Sequence, residues 1–462
     1  MKPSTKTLQL LRAYESRNVT FIEPDGSWPI IWDRARGVHV WDADGKKYLD
    51  LTAAFGVAAA GHANPNVVRA GQRQMGRLLH AMGDVHPHPL KAQLARELSR
   101  ITFERWTSAG GRASPRAPKS GSNLGGGPAS SRFHAKTIFC NSGFEAVEAA
   151  LKTARLATGK RGVIAFEDAY HGLGYGALNT THRQHFRAPF ADQLGRFGHF
   201  VPFPKAVAHG AVSPDLPSVD AQLRQLFRRR QIGAVLVEPV QVRGGLNIPH
   251  PKLLPRLREL CDRNRALLIL DEIYTGFGRT GKWFACEHWG VVPDILCLGK
   301  ALTGGFPLSA CVGKSELMDK AWPPSTGEAI HTSTFLGHPV GCAMALAQIL
   351  EIERRQLVTR SAIIGRLLVS LLSQLEPRNP AVTLSARGLG LLAGLELRLR
   401  DGRPATAATL ELVKAMLHRG FILLPEGEYS NVLSFTPPLV ISERQLRDTV
   451  NALASLLDRA AR

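Results

Sequence analysis

The sequence predicts an α/β protein: a mostly parallel sheet covered by helices, with a smaller α+β domain drawn from both ends of the chain. Three observations carry this reading. Across residues 136–313 short apolar runs, TIFC, GVIAFE, GAVLVEPV, ALLILDEI, DILCLGK and SACVG, alternate with helical stretches. Near-continuous apolar runs of this length suit strands buried on both faces, as in a parallel sheet. Residues 29–51, PIIWDRARGVHVWDADGKKYLDL, instead alternate apolar and polar side chains about the turn Asp44-Gly45, the pattern of a small antiparallel sheet. Finally, 462 residues exceed what one hydrophobic core usually serves. The expected division is 1–75 and 339–462 for the small domain and 76–338 for the large one.

In chain order, MKPSTKTLQLLRAYESR is amphipathic and has no apolar signal core. After the first sheet comes AAFGVAAAGHANP, a loop of small residues suited to lining a site, then a helix near residues 67–79. Residues 107–134, TSAGGRASPRAPKSGSNLGGGPASSRFH, are rich in Gly, Ser, Pro and Arg and read as a flexible surface insertion in the large domain, a linker being the alternative. Beyond Pro339 a helical tract runs to about residue 375, followed by RGLGLLAGLELRL, a helix near 405–419, the strand-like SFTPPL and a closing helix.

Hydrophobic residues make up 44% and charged residues 21%, which excludes global disorder. The net charge of +20 raises the possibility of a non-catalytic polyanion-binding protein. Its arginines are scattered without aromatic interleaving, so no nucleic-acid partner is expected, although anionic substrates would be attracted. The six cysteines form no CxxC pair and no zinc-like spacing, so they read as reduced thiols and no metal is expected. No stretch is long and apolar enough to span a bilayer. Cytoplasm is the expected compartment.

Three places could carry chemistry. Asn141-Ser142-Gly143 lies between the run TIFC and the helical FEAVEAALKTARLAT, where backbone N–H groups and a hydroxyl would welcome a phosphate; the plain alternative is helix capping by Ser142. Asp271 ends the apolar run ALLILD, where a carboxylate needs a cationic partner such as a protonated pyridine nitrogen. It could instead cap a turn, or bind a metal with Glu272, but no nearby His completes a ligand set. Lys300 follows another apolar run and precedes a glycine-rich turn, where desolvation would lower its pKa and make a nucleophilic amine; alone it would read as a surface lysine.

Taken together, GHANP, NSGFEAVEAALKTAR, AYHG, VEPVQ, LLILDEIYTGFGRTG, LGKALTGGFPLSA, HTSTFLGHPVGCAMALA, RGLGLLAGLEL and FTPPL occur in this order over nearly the whole chain. The chain thereby resembles the class III (omega-type) aminotransferases, pyridoxal-phosphate enzymes of fold type I. The resemblance implies that Lys300 holds pyridoxal 5'-phosphate as a Schiff base and that Asp271 pairs with the pyridinium nitrogen. Ser142 and Gly143, with Phe144 beside them, would hold the phosphate. Tyr170 would stack on the ring with His171 adjacent, and Thr334 would reach the phosphate from the second subunit of a homodimer. The implied reaction moves an amino group from an amino acid or ω-amino compound, 4-aminobutyrate- or ornithine-like, to a 2-oxo acid such as 2-oxoglutarate or pyruvate. Racemases, epimerases and aminomutases share the family and its lysine.

Four positions depart from the family pattern. Phe144 stands where Thr is frequent, and Tyr274 where Gln commonly bonds the cofactor's phenolic oxygen. Many members pair a Glu in EPxQGEGG with an Arg before F-x-PPL; here those positions are Arg243 and Ser434. Arg243 is therefore a candidate carboxylate clamp, with Arg387 the alternative substrate-binding arginine.

Overall fold

A computed structural model of the chain describes residues 1–108, 134–206, 215–376 and 381–457. The insertion expected over 107–134 lies outside these residues, apart from its ends. At the centre is a seven-stranded sheet, with strands named here in chain order: β1 (Ala135–Cys140), β2 (Gly162–Phe166), β3 (Gly198–Val201), β4 (Ile232–Val237), β5 (Leu267–Asp271), β6 (Ile295–Leu298) and β7 (Ser309–Lys314). Their spatial order is β1-β7-β6-β5-β4-β2-β3. All lie parallel except β7, which runs antiparallel to both β1 and β6. The segment between β6 and β7 is too short for the helical crossover that a parallel return requires, so the chain doubles back.

Every residue of β2, β4, β5 and β6 is buried, which is why these runs are continuously apolar. The short strand β3, partly exposed along GHF, carries no such signal and was not anticipated. The helix Gly143–Thr158 packs on the sheet through Ala146, Val147, Ala149, Ala150 and Ala154; these small side chains let it approach closely. Because six strands run the same way, the residues after β1, β2, β4, β5 and β6 gather along one edge of the sheet, where sites form in such folds.

Two smaller sheets flank this core. Trp32–Arg36, His39–Asp42 and Lys47–Asp50 form the antiparallel meander expected from residues 29–51. Its fourth strand, Phe421–Ile422, comes from the far end of the chain and pairs parallel with Lys47–Asp50. The other sheet joins Val382–Leu389, Leu392–Leu399, Val432–Phe435 and Leu424–Glu426, all antiparallel. The helix expected near 67–79 spans Pro65–Arg77, capped by Asn64, whose side-chain oxygen accepts from the N–H groups of Asn66 and Val67.

The tract beyond Pro339 is two helices rather than one. Pro339–Arg354 and Leu357–Ser373 meet at a 62° bend, where Gln356 takes a left-handed φ of 50°. Gln is an ordinary helix former, so no local signal marked the break. Among the described residues, no single helix is long and apolar enough to cross a membrane.

Candidate active site

Asp271 closes β5 with 5% of its side chain exposed. One oxygen accepts from the backbone N–H of Ile273 at 3.1 Å; the other lies 2.8 Å from Nδ1 of His171. His171 reaches this position from the loop after β2, its backbone N–H donating to Thr181 Oγ1 at 2.9 Å. The imidazole is fully buried, and its Nε2 has no hydrogen-bond partner. A buried carboxylate and an imidazole ring thus meet at the floor of the site, the carboxylate in contact with a backbone N–H and with the imidazole.

Lys300 follows β6, with Gly299 extended before it and its own φ at 43°. Desolvation lowers the pKa of its amine, opposed by the nearby carboxylates of Asp271 and Glu238. The amine sits 4.6 Å from the ring centroid of Tyr274. Tyr274 is itself wedged in place, since a Cβ on Gly56 would meet its ring at 2.9 Å; this brings the small-residue loop AAFG to the site. The phenol is turned toward Thr436, 3.4 Å away.

Glu238 was not picked out in the sequence beyond the motif VEPVQ. It follows β4 fully buried, with burial pushing its carboxyl up to about 7, and it accepts from the N–H of Tyr170 at 3.0 Å. Its signal was present: GAVLVE ends in an acid just as ALLILD does.

Ser142 occupies the cap position of the helix Gly143–Thr158, but its side chain makes no capping bond, so the plain capping alternative does not describe it. Its hydroxyl donates to Glu145 at 3.2 Å, and its carbonyl accepts from Ser309 Oγ on β7 at 2.6 Å. Gly143 admits close approach of Ile273, whose side chain lies 3.0 Å from where a Cβ would be. Phe144 is partly exposed and packs on Gly172, where φ is +108° and a Cβ would lie 2.3 Å from that of Phe144. The first N–H groups of this helix therefore face the same strand ends as Lys300 and Asp271.

Tyr170 lies beneath the Arg243 guanidinium, 5.2 Å from ring centroid to the guanidinium carbon. Arg243 is one-third exposed, and its Nε is 3.3 Å from a carboxylate oxygen of Glu426, a residue that sequence reasoning missed. Arg387, the alternative clamp, is fully engaged: it pairs with Glu396 at 2.6 Å and donates to the carbonyls of Gly245 and Leu246. It braces the loop that carries Arg243. Ser434 is buried in the strand Val432–Phe435. Thr334 stands apart from the cluster, exposed in the turn before Pro339.

These residues fit a flat anionic cofactor. A helix start suits its phosphate, the buried Asp271 carboxylate suits a ring nitrogen carrying a proton, and a desolvated amine suits its aldehyde. The family model for class-III aminotransferases matches residues 22–457. The chain belongs to this family. This class III aminotransferase therefore depends on pyridoxal phosphate and has the fold type I architecture. It is 34% identical to the 5-aminovalerate aminotransferase of Pseudomonas aeruginosa over 94% of both chains. It is 35% identical to the acetylornithine aminotransferase of Methanosarcina mazei, covering 93% of this chain and 92% of that one. The ornithine aminotransferase of Toxoplasma gondii, solved with partial occupancy of pyridoxal phosphate at its active site, superposes with a TM-score of 0.80 at 26% identity, covering 99% and 95% of the two chains.

Proposed function

We propose that this aminotransferase takes its amino group from a terminal amine on a carbon chain bearing a distant carboxylate, as in 4-aminobutyrate or ornithine, and passes it to a 2-oxo acid such as 2-oxoglutarate or pyruvate. The observation that carries this reading is the desolvated Lys300 amine grouped with Asp271 and Glu238, while Arg243 stands above Tyr170 as a cation for the substrate carboxylate. The relatives named for 5-aminovalerate and acetylornithine support it, since both compounds combine an amine and a carboxylate separated by several carbons.

Pyridoxal phosphate, when bound, supplies the aldehyde that receives the amino group and a ring that absorbs an electron pair. Ser142, Gly143 and the helix start behind them would hold its phosphate, with Phe144 beside it. Asp271 would hold the ring nitrogen, oriented by His171, and Tyr170 would cover the ring face. Lys300 would serve as the general base. Its lowered pKa leaves more of the amine unprotonated, able to take the proton from the carbon bearing the amino group. Tyr274 would support this lysine, whose amine lies 4.6 Å from its ring centroid, while its hydroxyl lies 3.4 Å from Thr436.

A homodimer accords with the exposure of Thr334 and with the large apolar side chains left in water on the same chain: Met75, Leu79, Met82, Val85, Ile330 and Phe335. A partner subunit would cover these and present its Thr334 to the phosphate. The division into a large domain over 76–338 and a small domain from both chain ends follows from the same reading, supported by the pairing of Phe421–Ile422 with Lys47–Asp50. Six buried, unpaired cysteines suit the reducing cytoplasm.

The test is a single half-reaction. The holoprotein mixed with 4-aminobutyrate, 5-aminovalerate or ornithine alone should convert its cofactor to the amine form, and 2-oxoglutarate should restore the aldehyde form. Lys300→Ala should lower turnover by at least about a thousandfold. Retained turnover in that variant would overturn the role of Lys300.

A further inference from the structure

The helix Gly143–Thr158 begins at the residues assigned to the cofactor phosphate, but its second half borders a different space. Leu151, Ala154 and Leu156 of this helix, with Val163 at the start of β2 and Ala234 near the start of β4, line a cavity of about 600 Å3. It lies toward the amino ends of these parallel strands, whereas Asp271 and Lys300 stand at carboxyl ends. At 1.5 Å per residue, Leu151 to Leu156 are about 12–20 Å along the helix from Gly143. The cavity is therefore separate from the cofactor site.

Its lining has two chemical parts. Leu151, Ala154, Val163 and Ala234 belong to one buried apolar cluster, on which Phe197 and Trp322 pack as partly buried walls. Leu156 and Ile330 extend this apolar surface outward, 45% and 71% exposed. Around it stand Lys152, Arg155, Lys160 and Arg161. Among the described residues, Lys152, Arg155 and Arg161 form no ion pair: Lys152 Nζ lies 3.1 Å from Nδ1 of His331, Arg155 donates to the carbonyl of Gly159, and Arg161 donates to that of Gly195 at 2.6 Å. Burial, together with Lys152, lowers the pKa of His331, so the imidazole is neutral and leaves the lysine charge uncompensated. Glu148 is the one acid among the described lining residues, placed four before Lys152 where an ion pair could form. Its carboxylate turns away to the helix Tyr175–Leu178, accepting from the N–H of Ala177 at 3.0 Å and lying so near Gly176 that a Cβ there would be 2.0 Å from its oxygen.

We propose that this cavity is a second binding site of the enzyme, for an amphipathic carboxylate whose apolar body lies against Phe197 and Trp322 and whose carboxylate is held by Arg155 and Arg161. Cations gathered without counter-charge attract an anion, and a guanidinium matches a carboxylate with two parallel hydrogen bonds. The volume is that of a small-molecule site, and its apolar floor gains from covering by hydrocarbon. A small hydrophilic anion would use the charge without the floor, and a neutral hydrocarbon the floor without the charge, so the ligand that fits carries both. Ile330 also belongs to the apolar patch assigned above to the partner subunit, so the cavity opens beside the proposed interface and the assembled holoenzyme is the form to test.

The experiment titrates the holoenzyme by calorimetry with octanoate, 1-octanol, octyltrimethylammonium and acetate. Octanoate should bind once per chain, with a Kd at least about tenfold below that of 1-octanol, while octyltrimethylammonium and acetate show no saturable binding. Arg155→Gln combined with Arg161→Gln should weaken octanoate about tenfold or more and leave 1-octanol within about twofold. Leu156→Glu, which puts a carboxylate on the apolar wall, should remove octanoate binding. All three positions are exposed, so these variants keep the fold, and both proteins should retain the cofactor absorbance of the unaltered enzyme. If octanoate binds both variants as tightly as the unaltered enzyme, its carboxylate sits elsewhere, at Arg243 for instance, and the proposal is overturned. Absence of octanoate binding to the unaltered holoenzyme overturns it equally, as does binding of 1-octanol as tight as that of octanoate.

Discussion

Asp271 and Glu238 both follow apolar strands, yet their surroundings assign them different work. Asp271 accepts from a backbone N–H and lies 2.8 Å from an imidazole nitrogen, which holds its carboxylate in one orientation. Glu238 is fully buried, and desolvation raises its carboxyl from the ordinary 4.5 to about 7. The folded protein therefore holds this proton more tightly than the unfolded chain. The resulting stability is complete below about pH 4.5 and is lost as pH rises through about 7, a contribution of about 3 kcal/mol. Unfolding free energies of the apoprotein, measured in urea from pH 4.5 to 7.5, should fall less steeply in Glu238→Gln than in the unaltered chain. Parallel curves would show that the site does not hold Glu238 protonated. Of these two acids the sequence reading singled out Asp271 at the end of ALLILD and passed over Glu238, although GAVLVE ends in an acid in the same way.

Among the elements, the helix Leu357–Ser373 shows how packing reverses an intrinsic preference. Ala exceeds Gly by about 1 kcal/mol within a helix, so Gly365→Ala considered locally should stabilise it. In the fold, a Cβ at Gly365 would lie 2.0 Å from the backbone of Gly390, in the turn between Val382–Leu389 and Leu392–Leu399. The substitution should therefore cost about 3 kcal/mol or more, read as a lowered urea midpoint with unchanged slope. An unchanged or raised midpoint would mean that the turn yields. The same contact explains the bend at Gln356: one straight helix from Pro339 could not lay its second half against this hairpin. Periodicity placed helical residues across the tract but could not see the bend, which answers to a surface formed by other parts of the chain.

Across the whole molecule, Arg279 joins segments that are remote in sequence. It is 1% exposed, and its guanidinium donates to the carbonyls of Leu391 at 3.0 Å and Pro437 at 2.5 Å, while its own carbonyl accepts from Ser361 at 3.1 Å. Burial lowers its pKa to about 10, a sign of how fully water is excluded, yet it stays charged at neutral pH. The loop leaving β5 near Asp271 is thereby tied to the C-terminal segments. Arg279→Leu leaves two buried carbonyls unpaired and should lower stability by about 3 kcal/mol, seen as a drop in Tm of the apoprotein. A Tm within a degree or two of the unaltered protein would show that the segments are held by apolar packing alone.

The strands of the central sheet, the meander over residues 29–51 and the acid and lysine beyond β5 and β6 could be read from the chain directly. Each is marked by its own run of neighbours: burial on both faces demands continuous apolar residues, and a charged residue ending such a run is conspicuous. The partners of Arg243 and Arg387 could not be read this way. Glu426 faces Arg243, and Gly245 with Leu246 occupies Arg387, only because the Leu424–Glu426 strand and the loop after β4 meet in space. Charge pairing depends on distance and exposure rather than on order along the chain. The folded molecule alone therefore decided which arginine stays one-third exposed beside Glu426 and which one braces the loop.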